Sequence, residues 1–233
     1  MTPALLPVDW SAACASLDAR GCAVVGPVFG PEVCAGLAGL YDRAEGFRSR
    51  VVMARHGFGQ GEYRYFDYPL PGPVQTLREA AYAALAPIAN GWASRMGQPA
   101  DFPSTLEAQV ARCHAAGQVR ATPLLLRYGP GDYNCLHQDL YGPVHFPLQM
   151  TVLLSEPERD FEGGEFVLVE QRPRMQSRAE VVALRQGEAV VFAVKQRPVG
   201  GSRGDYRVTM RHGVSRVRAG LRHTLGIIFH DAA

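Results

Sequence analysis

The sequence predicts an α+β fold: helices come first, and about eight short strands follow and close into a β-sandwich or barrel with the helices packed outside. Three observations carry this. Segments with helix start and stop signals fill much of residues 1–120, β-branched and aromatic runs recur at near-regular spacing from Ala121 onward, and Gly-, Pro- and Asp-rich breakers separate those runs. The 233 residues read as one unit, with a mainly helical part over 1–120, a lid loop at about 55–71 and a strand-rich core over 121–230.

Taken in order, DWSAACASLDARG opens on a capping Asp9 and ends at Gly21, so it predicts a helix. CAVVGPV follows as a short strand, and Pro31 begins a second helix at a position where proline is tolerated. A third helix covers about 74–96 with an interruption at Pro87, and a fourth covers about 104–117. Between the second and third lies RHGFGQGEYRYFDYPLPGP, rich in Gly, Tyr and Arg, which reads as a loop. The later strands are TPLLLRY, NCLHQD, FPLQMTVLL, GEFVLVEQ, EVVALR, EAVVFAV, YRVTMRHGVSRV and RHTLGIIF.

A composition of 47% hydrophobic and 20% charged residues is that of an ordinary globular chain and excludes a disordered one. The first residues lack a signal-peptide pattern, and no apolar run reaches the roughly 18 residues of a membrane span, so a cytoplasmic protein is expected. Five scattered cysteines without CxxC spacing suit reduced thiols rather than a disulfide framework or a zinc site. Charge is uneven. Residues 1–171 carry 12 Arg against 18 acidic residues, whereas residues 172–222 carry 11 Arg and Lys195 against three acidic residues, a net of +9.

The chemistry concentrates in RYGPGDYNCLHQDLYG. On a strand, successive side chains alternate faces, so Cys135, His137 and Asp139 share one side. Two histidines and one carboxylate on one face are the ligand set of non-haem Fe(II) oxygenases, since they leave positions open for O₂ and a co-substrate. The second histidine could come from His145, His212, His223 or His230. His212 is favoured because it lies in a strand and Arg222 follows it ten residues later in the next strand.

HQD followed by HGVSRVRAGLR resembles the signature of Fe(II)- and 2-oxoglutarate-dependent oxygenases over roughly residues 121–230. The resemblance implies a double-stranded β-helix, or jelly-roll, core. It implies iron held by His137, Asp139 and His212, and 2-oxoglutarate held by Arg222, with Tyr128 matching a co-substrate tyrosine of AlkB-type enzymes. It also implies O₂ as oxidant, ascorbate as a reductant that keeps iron ferrous, and decarboxylation of 2-oxoglutarate to succinate coupled to C–H hydroxylation.

The longer run from YNCLHQDLYG to GGEFVLVEQRPRMQSRAE resembles bacterial oxygenases assigned to nucleic-acid modification, which implies damaged or single-stranded nucleic acid as partner and oxidative dealkylation, hence DNA repair, as activity. Basic residues support that reading: Arg172, Arg174, Arg178, Lys195, Arg197, Arg203 and Arg207 on strand-connecting loops are candidates for phosphate neutralisation. Arg64 and Tyr65 in the lid, with Tyr141, are candidates for base contact. No obligate protein partner is implied. Prolyl-type hydroxylases, which this spacing also resembles, imply a peptide substrate instead, and a cupin-like binding domain without catalysis is the third reading.

Overall fold

The structure, a computed structural model, describes residues 5–202 and 204–233. Arg203 therefore lies outside the described residues. Its helices are α1 (Trp10–Arg20), α2 (Pro31–Gly39), α3 (Gly72–Arg95) and α4 (Leu106–Ala115). The strands are β1 (Cys22–Val25), β2 (Phe47–Val52), β3 (Gly59–Gln60), β4 (Glu62–Phe66), β5 (Leu124–Tyr128), β6 (Tyr133–His137), β7 (Leu148–Leu153) and β8 (Phe161–Gly163). They continue with β9 (Phe166–Gln171), β10 (Arg178–Val182), β11 (Ala189–Ala193), β12 (Gln196–Gly201), β13 (Gly204–Val214), β14 (Val217–Gly220) and β15 (Arg222–Ile228).

Two antiparallel sheets form the body. The larger runs β1-β11-β7-β15-β5-β4-β2, and the smaller runs β10-β9-β13-β6-β3 with β12 also paired to β13. A cavity between them takes side chains from β4, β5, β7 and β15 on one wall and from β6, β9 and β13 on the other. Helix α1 packs on β11 and α3 on β15, so the central strands β7, β11 and β15 are buried along nearly their whole length. This explains their near-continuous apolar sequences.

Local chemistry sets the helix ends. The Asp9 carboxylate accepts hydrogen bonds from the Ser11 and Ala12 amides at 3.0 and 3.1 Å, and Gly21 closes α1 in the left-handed conformation at φ 79°. Helix α3 runs through Pro87 without a break, contrary to the interruption the sequence suggests. Proline removes one amide donor there, while Leu77, Ala81, Leu85, Ala89 and Trp92 bury a stripe that spans both sides of it.

The expected lid is a second correction. Residues 55–71 contain β3 and β4, and β4 lies inside the large sheet between β2 and β5. The pattern EYRYF is an alternation: Tyr63 and Tyr65 face the partner sheet, while Glu62 and Arg64 face outward, where Glu62 pairs with Arg50 and Arg127. The described residues before Ala121 thus supply four strands as well as four α-helices.

Candidate active site

Strands β6 and β13 bring the two histidines together. His212 pairs directly with His137 across the ladder, and the next matched pair is Val214 with Asn134. Three steps on β6 thus oppose two on β13, which is a β-bulge, a device that re-aims side chains. Gly213 sits at that step. A Cβ there would lie 2.6 Å from the Asn134 carbonyl oxygen, so glycine permits the close approach of the two backbones. The imidazole centroids end 4.2 Å apart.

Asp139 lies two residues beyond the end of β6, so strict strand alternation does not carry it; the extended chain after His137 still turns it into the cavity. Its Oδ1 is 3.5 Å from His137 Nε2 and its Oδ2 is 3.4 Å from His212 Nε2. One donor atom from each residue lies within 4.8 Å of the other two, so the three could hold one metal ion. His137 Nδ1–H donates to the Cys135 carbonyl at 2.8 Å, which leaves Nε2 with its lone pair toward the common point. His212 is walled by the Phe166 and Phe192 rings, which fix its plane.

Electrostatics suits a cation. Burial opposes ionisation of Asp139, but the two imidazoles outweigh it and hold the carboxyl well below its usual range. Burial, reinforced by His137, pushes the His212 pKa down, which keeps that ring neutral as a ligand must be. Both Asp139 oxygens are also anchored: Tyr141 Oη donates to Oδ1 at 2.7 Å and Gln149 Nε2 to Oδ2 at 2.9 Å. Tyr65 Oη in turn donates to Tyr141 Oη at 3.0 Å.

Further along the same cavity, Arg222 on β15 stands opposite Tyr128 on β5, with its guanidinium carbon 5.7 Å from the phenol centroid. The Arg222 side chain is 2% exposed, and its Nε and Nη1 groups have no hydrogen-bond partner; neither has the Tyr128 hydroxyl. Burial lowers the guanidinium pKa to about 10, so it stays charged at neutral pH. Gly164 gives its stem room, since a Cβ there would lie 2.8 Å from Arg222 Cδ. A buried cation beside an idle hydroxyl is costly unless an anion completes it, and a small carboxylate fits both.

A model of the Oxygenase-NA family, described as an oxygenase catalysing oxidative methylation of damaged DNA, matches residues 61–232. The chain belongs to this oxygenase family. An uncharacterized protein of Mycobacterium tuberculosis is 51% identical to the oxygenase over 168 residues, 72% of each chain. Among solved structures, a 2OG-Fe(II) oxygenase-family oxidoreductase from Burkholderia pseudomallei superposes with a TM-score of 0.56 at 17% identity, covering 97% of this chain and 93% of that one. A Pseudomonas putida prolyl-4-hydroxylase gives 0.54 at 15% identity over 97% and 100%. At these identities the likeness is one of fold, the double-stranded β-helix. The oxygenase is thus an oxidoreductase built on the fold of the 2OG-Fe(II) enzymes it superposes on.

The other sequence expectations fare unevenly. Tyr65 and Tyr141 are tied to Asp139 as above, but Arg64 turns to the outer face of the sheet, donates to the Arg43 carbonyl at 2.7 Å and lies over Tyr41 and Phe47. Arg172 pairs with Glu170 at 2.7 Å, and Arg197, 1% exposed, pairs with the same buried carboxylate from the other side. Glu170 points inward on β9 and needs those counter-charges, so neither arginine is free for phosphate. Arg207 bonds the Met96 carbonyl, and Arg174 sits in the turn after β9, outside the cavity lining. His145, His223 and His230 take no part in the metal group. No helix among the described residues is long and apolar enough to cross a membrane. Gln149 is the functional side chain that sequence reasoning missed; a lone amide in the buried run LQMTVL is the signal that marks it.

Proposed function

We propose that His137, Asp139 and His212 hold Fe(II), that Arg222 and Tyr128 receive the distal carboxylate of 2-oxoglutarate, and that the oxygenase removes methyl groups from bases of damaged or single-stranded DNA. The observation that carries the first part is the partnerless, buried Arg222 guanidinium in the same cavity as the His-Asp-His cluster. When bound, iron supplies the activation of O₂ that is coupled to loss of CO₂ from 2-oxoglutarate. The chain's own part is to hold the metal at an open face, to orient the co-substrate through a charged, directional donor, and to keep water out with Phe166, Leu126 and Val214.

The DNA part rests on the family description together with the cavity mouth. An oxygenase acting on an N-methyl group puts a hydroxyl on the methyl carbon. The C–N bond then breaks, formaldehyde leaves and the nitrogen keeps a hydrogen, while one 2-oxoglutarate and one O₂ become succinate and CO₂. Exposed Arg55, beside the lip residue Phe58, and exposed Lys195, whose carbonyl accepts from the lining residue Gln138, could meet the phosphates that flank an extruded base.

The test is formaldehyde release from methylated single-stranded oligonucleotides supplied with Fe(II) and 2-oxoglutarate, with the Asp139→Ala variant as control. Formaldehyde that matches succinate one to one and vanishes in Asp139→Ala supports the reading. Succinate coupled instead to hydroxylation of a proline-containing peptide would replace it with a protein hydroxylase.

A further inference from the structure

Apart from the groups assigned above to iron and co-substrate, the cavity is lined by neutral side chains. Its mouth is formed by Phe58, Leu136 and Leu140, and its wall by Tyr63, Tyr141 and the buried Met53. Phe58, Leu136 and Leu140 are 47%, 46% and 38% exposed, so three large apolar side chains left open to water gather around one opening. His56 stacks on Phe58 with ring centroids 5.3 Å apart and planes 23° from parallel, which makes the lip a flat aromatic surface. Behind it the cavity wall carries Tyr63 and Tyr141, both packed edge to face on the buried Tyr65, so the wall is aromatic and fixed. The cavity holds about 350 Å³.

The balance of charge decides what enters. Among the described residues Asp139 is the one carboxylate in the lining, and both of its oxygens already accept hydrogen bonds. Asp139 and Arg222 offset one another, and so do a divalent iron and the dianionic co-substrate. A positively charged group entering the cavity beside Tyr63 and Tyr141 would lose its water and find no counter-charge. Aromatic faces attract cations in general, yet the Arg48 guanidinium already lies 4.3 Å over the Tyr65 ring and repels a second one. A neutral planar group loses little hydration and gains stacking and apolar contact.

We infer that the substrate base is uncharged: the site takes methylated bases that stay neutral, such as one methylated on an exocyclic nitrogen, and turns away bases made cationic by methylation of a ring nitrogen. This rests on the DNA reading above and adds to it the charge state of the base.

Two isomers isolate that variable. Single-stranded oligonucleotides carrying one N4-methylcytosine or one 3-methylcytosine differ only in where the methyl sits and in whether the base is cationic at neutral pH. Formaldehyde release should favour N4-methylcytosine by roughly tenfold or more in kcat/KM, the scale on which an uncompensated buried charge discriminates. Leu136→Glu, at a half-exposed lip position that tolerates the change, should raise the relative rate on 3-methylcytosine by supplying the missing negative charge. Equal or faster reaction of 3-methylcytosine with the unaltered protein overturns this inference and leaves the DNA reading standing. A preference for N4-methylcytosine that Leu136→Glu does not move also overturns it, because shape rather than charge would then select. Formaldehyde from neither oligonucleotide overturns both readings.

Discussion

Arg222 is a full positive charge carried into the interior with two N–H groups unanswered. A fold keeps such a group only if something binds it. Replacing it with alanine should therefore raise the 2-oxoglutarate concentration needed for half-maximal succinate formation on the order of 10²-fold, the scale of a lost charged hydrogen-bonded pair; succinate kinetics against co-substrate concentration measure this. Tyr141 acts one step further from the chemistry, through the hydrogen bond to Asp139 Oδ1. Tyr141→Phe keeps the ring and removes the donor, so Fe(II) affinity should fall about tenfold while the melting temperature changes little. A metal titration and a melting curve on the same sample separate the two effects. His137, Asp139, His212 and Arg222 are legible in sequence because residue type and spacing carry their meaning. Gln149 and the Tyr65–Tyr141 relay are less so, since each works only through a partner that β4 or β7 brings in from elsewhere in the chain.

At the scale of elements, the contact between β6 and β13 sets the geometry of the histidine pair. Gly213→Ala would push a methyl into the Asn134 carbonyl and force the strands apart. It should destabilise the fold by about 1–3 kcal/mol and weaken metal binding as well, which thermal denaturation with and without Fe(II) will read. The strands after Ala121 are legible because apolar runs and turn residues alternate cleanly there. Strands β2 and β4 are not, because FRSRVV and EYRYF carry arginines that look like solvent-facing loop residues. In the fold Arg50 and Arg64 cover the outer face of the large sheet, Arg50 paired with Glu62 and Arg64 lying over Tyr41, while Arg48 lies over the Tyr65 ring. The basic segment was misleading for the related reason that a buried acid, Glu170, consumes part of its charge.

The whole molecule is tied shut near its C-terminus. Asp231 is fully buried and accepts from Arg78 at 2.9 Å and from Tyr68, with His114 beside it, so α3 and α4 are fastened to the chain just after β15. Next to it His230 accepts from the Phe146 amide through Nδ1, and burial pushes its pKa down to about 3. The unfolded chain, with an ordinary histidine near 6.5, takes up that proton first, so the stability held above pH 6.5 drains away as pH falls toward 3. Glu170 adds to the slope below about 4.5, because its arginine neighbours outweigh the cost of burial and hold its pKa down. Denaturation midpoints should hold steady from pH 8 to 7 and then decline, with His230 alone costing on the order of 3 kcal/mol by pH 4. His230→Gln should flatten the part of that decline above pH 4.5.

The order of the large sheet has a practical corollary. The family match begins at residue 61, yet β1 and β2, the outermost strands on opposite sides of that sheet, both come earlier in the chain. A fragment trimmed to the matched region would expose bare backbone along β11 on one flank and β4 on the other, an invitation for copies to zip together. Such a fragment should leave a sizing column as aggregate while the intact chain does not, so the sixty residues that carry none of the iron chemistry serve as selvage, the finished border that keeps the weave from joining its neighbours.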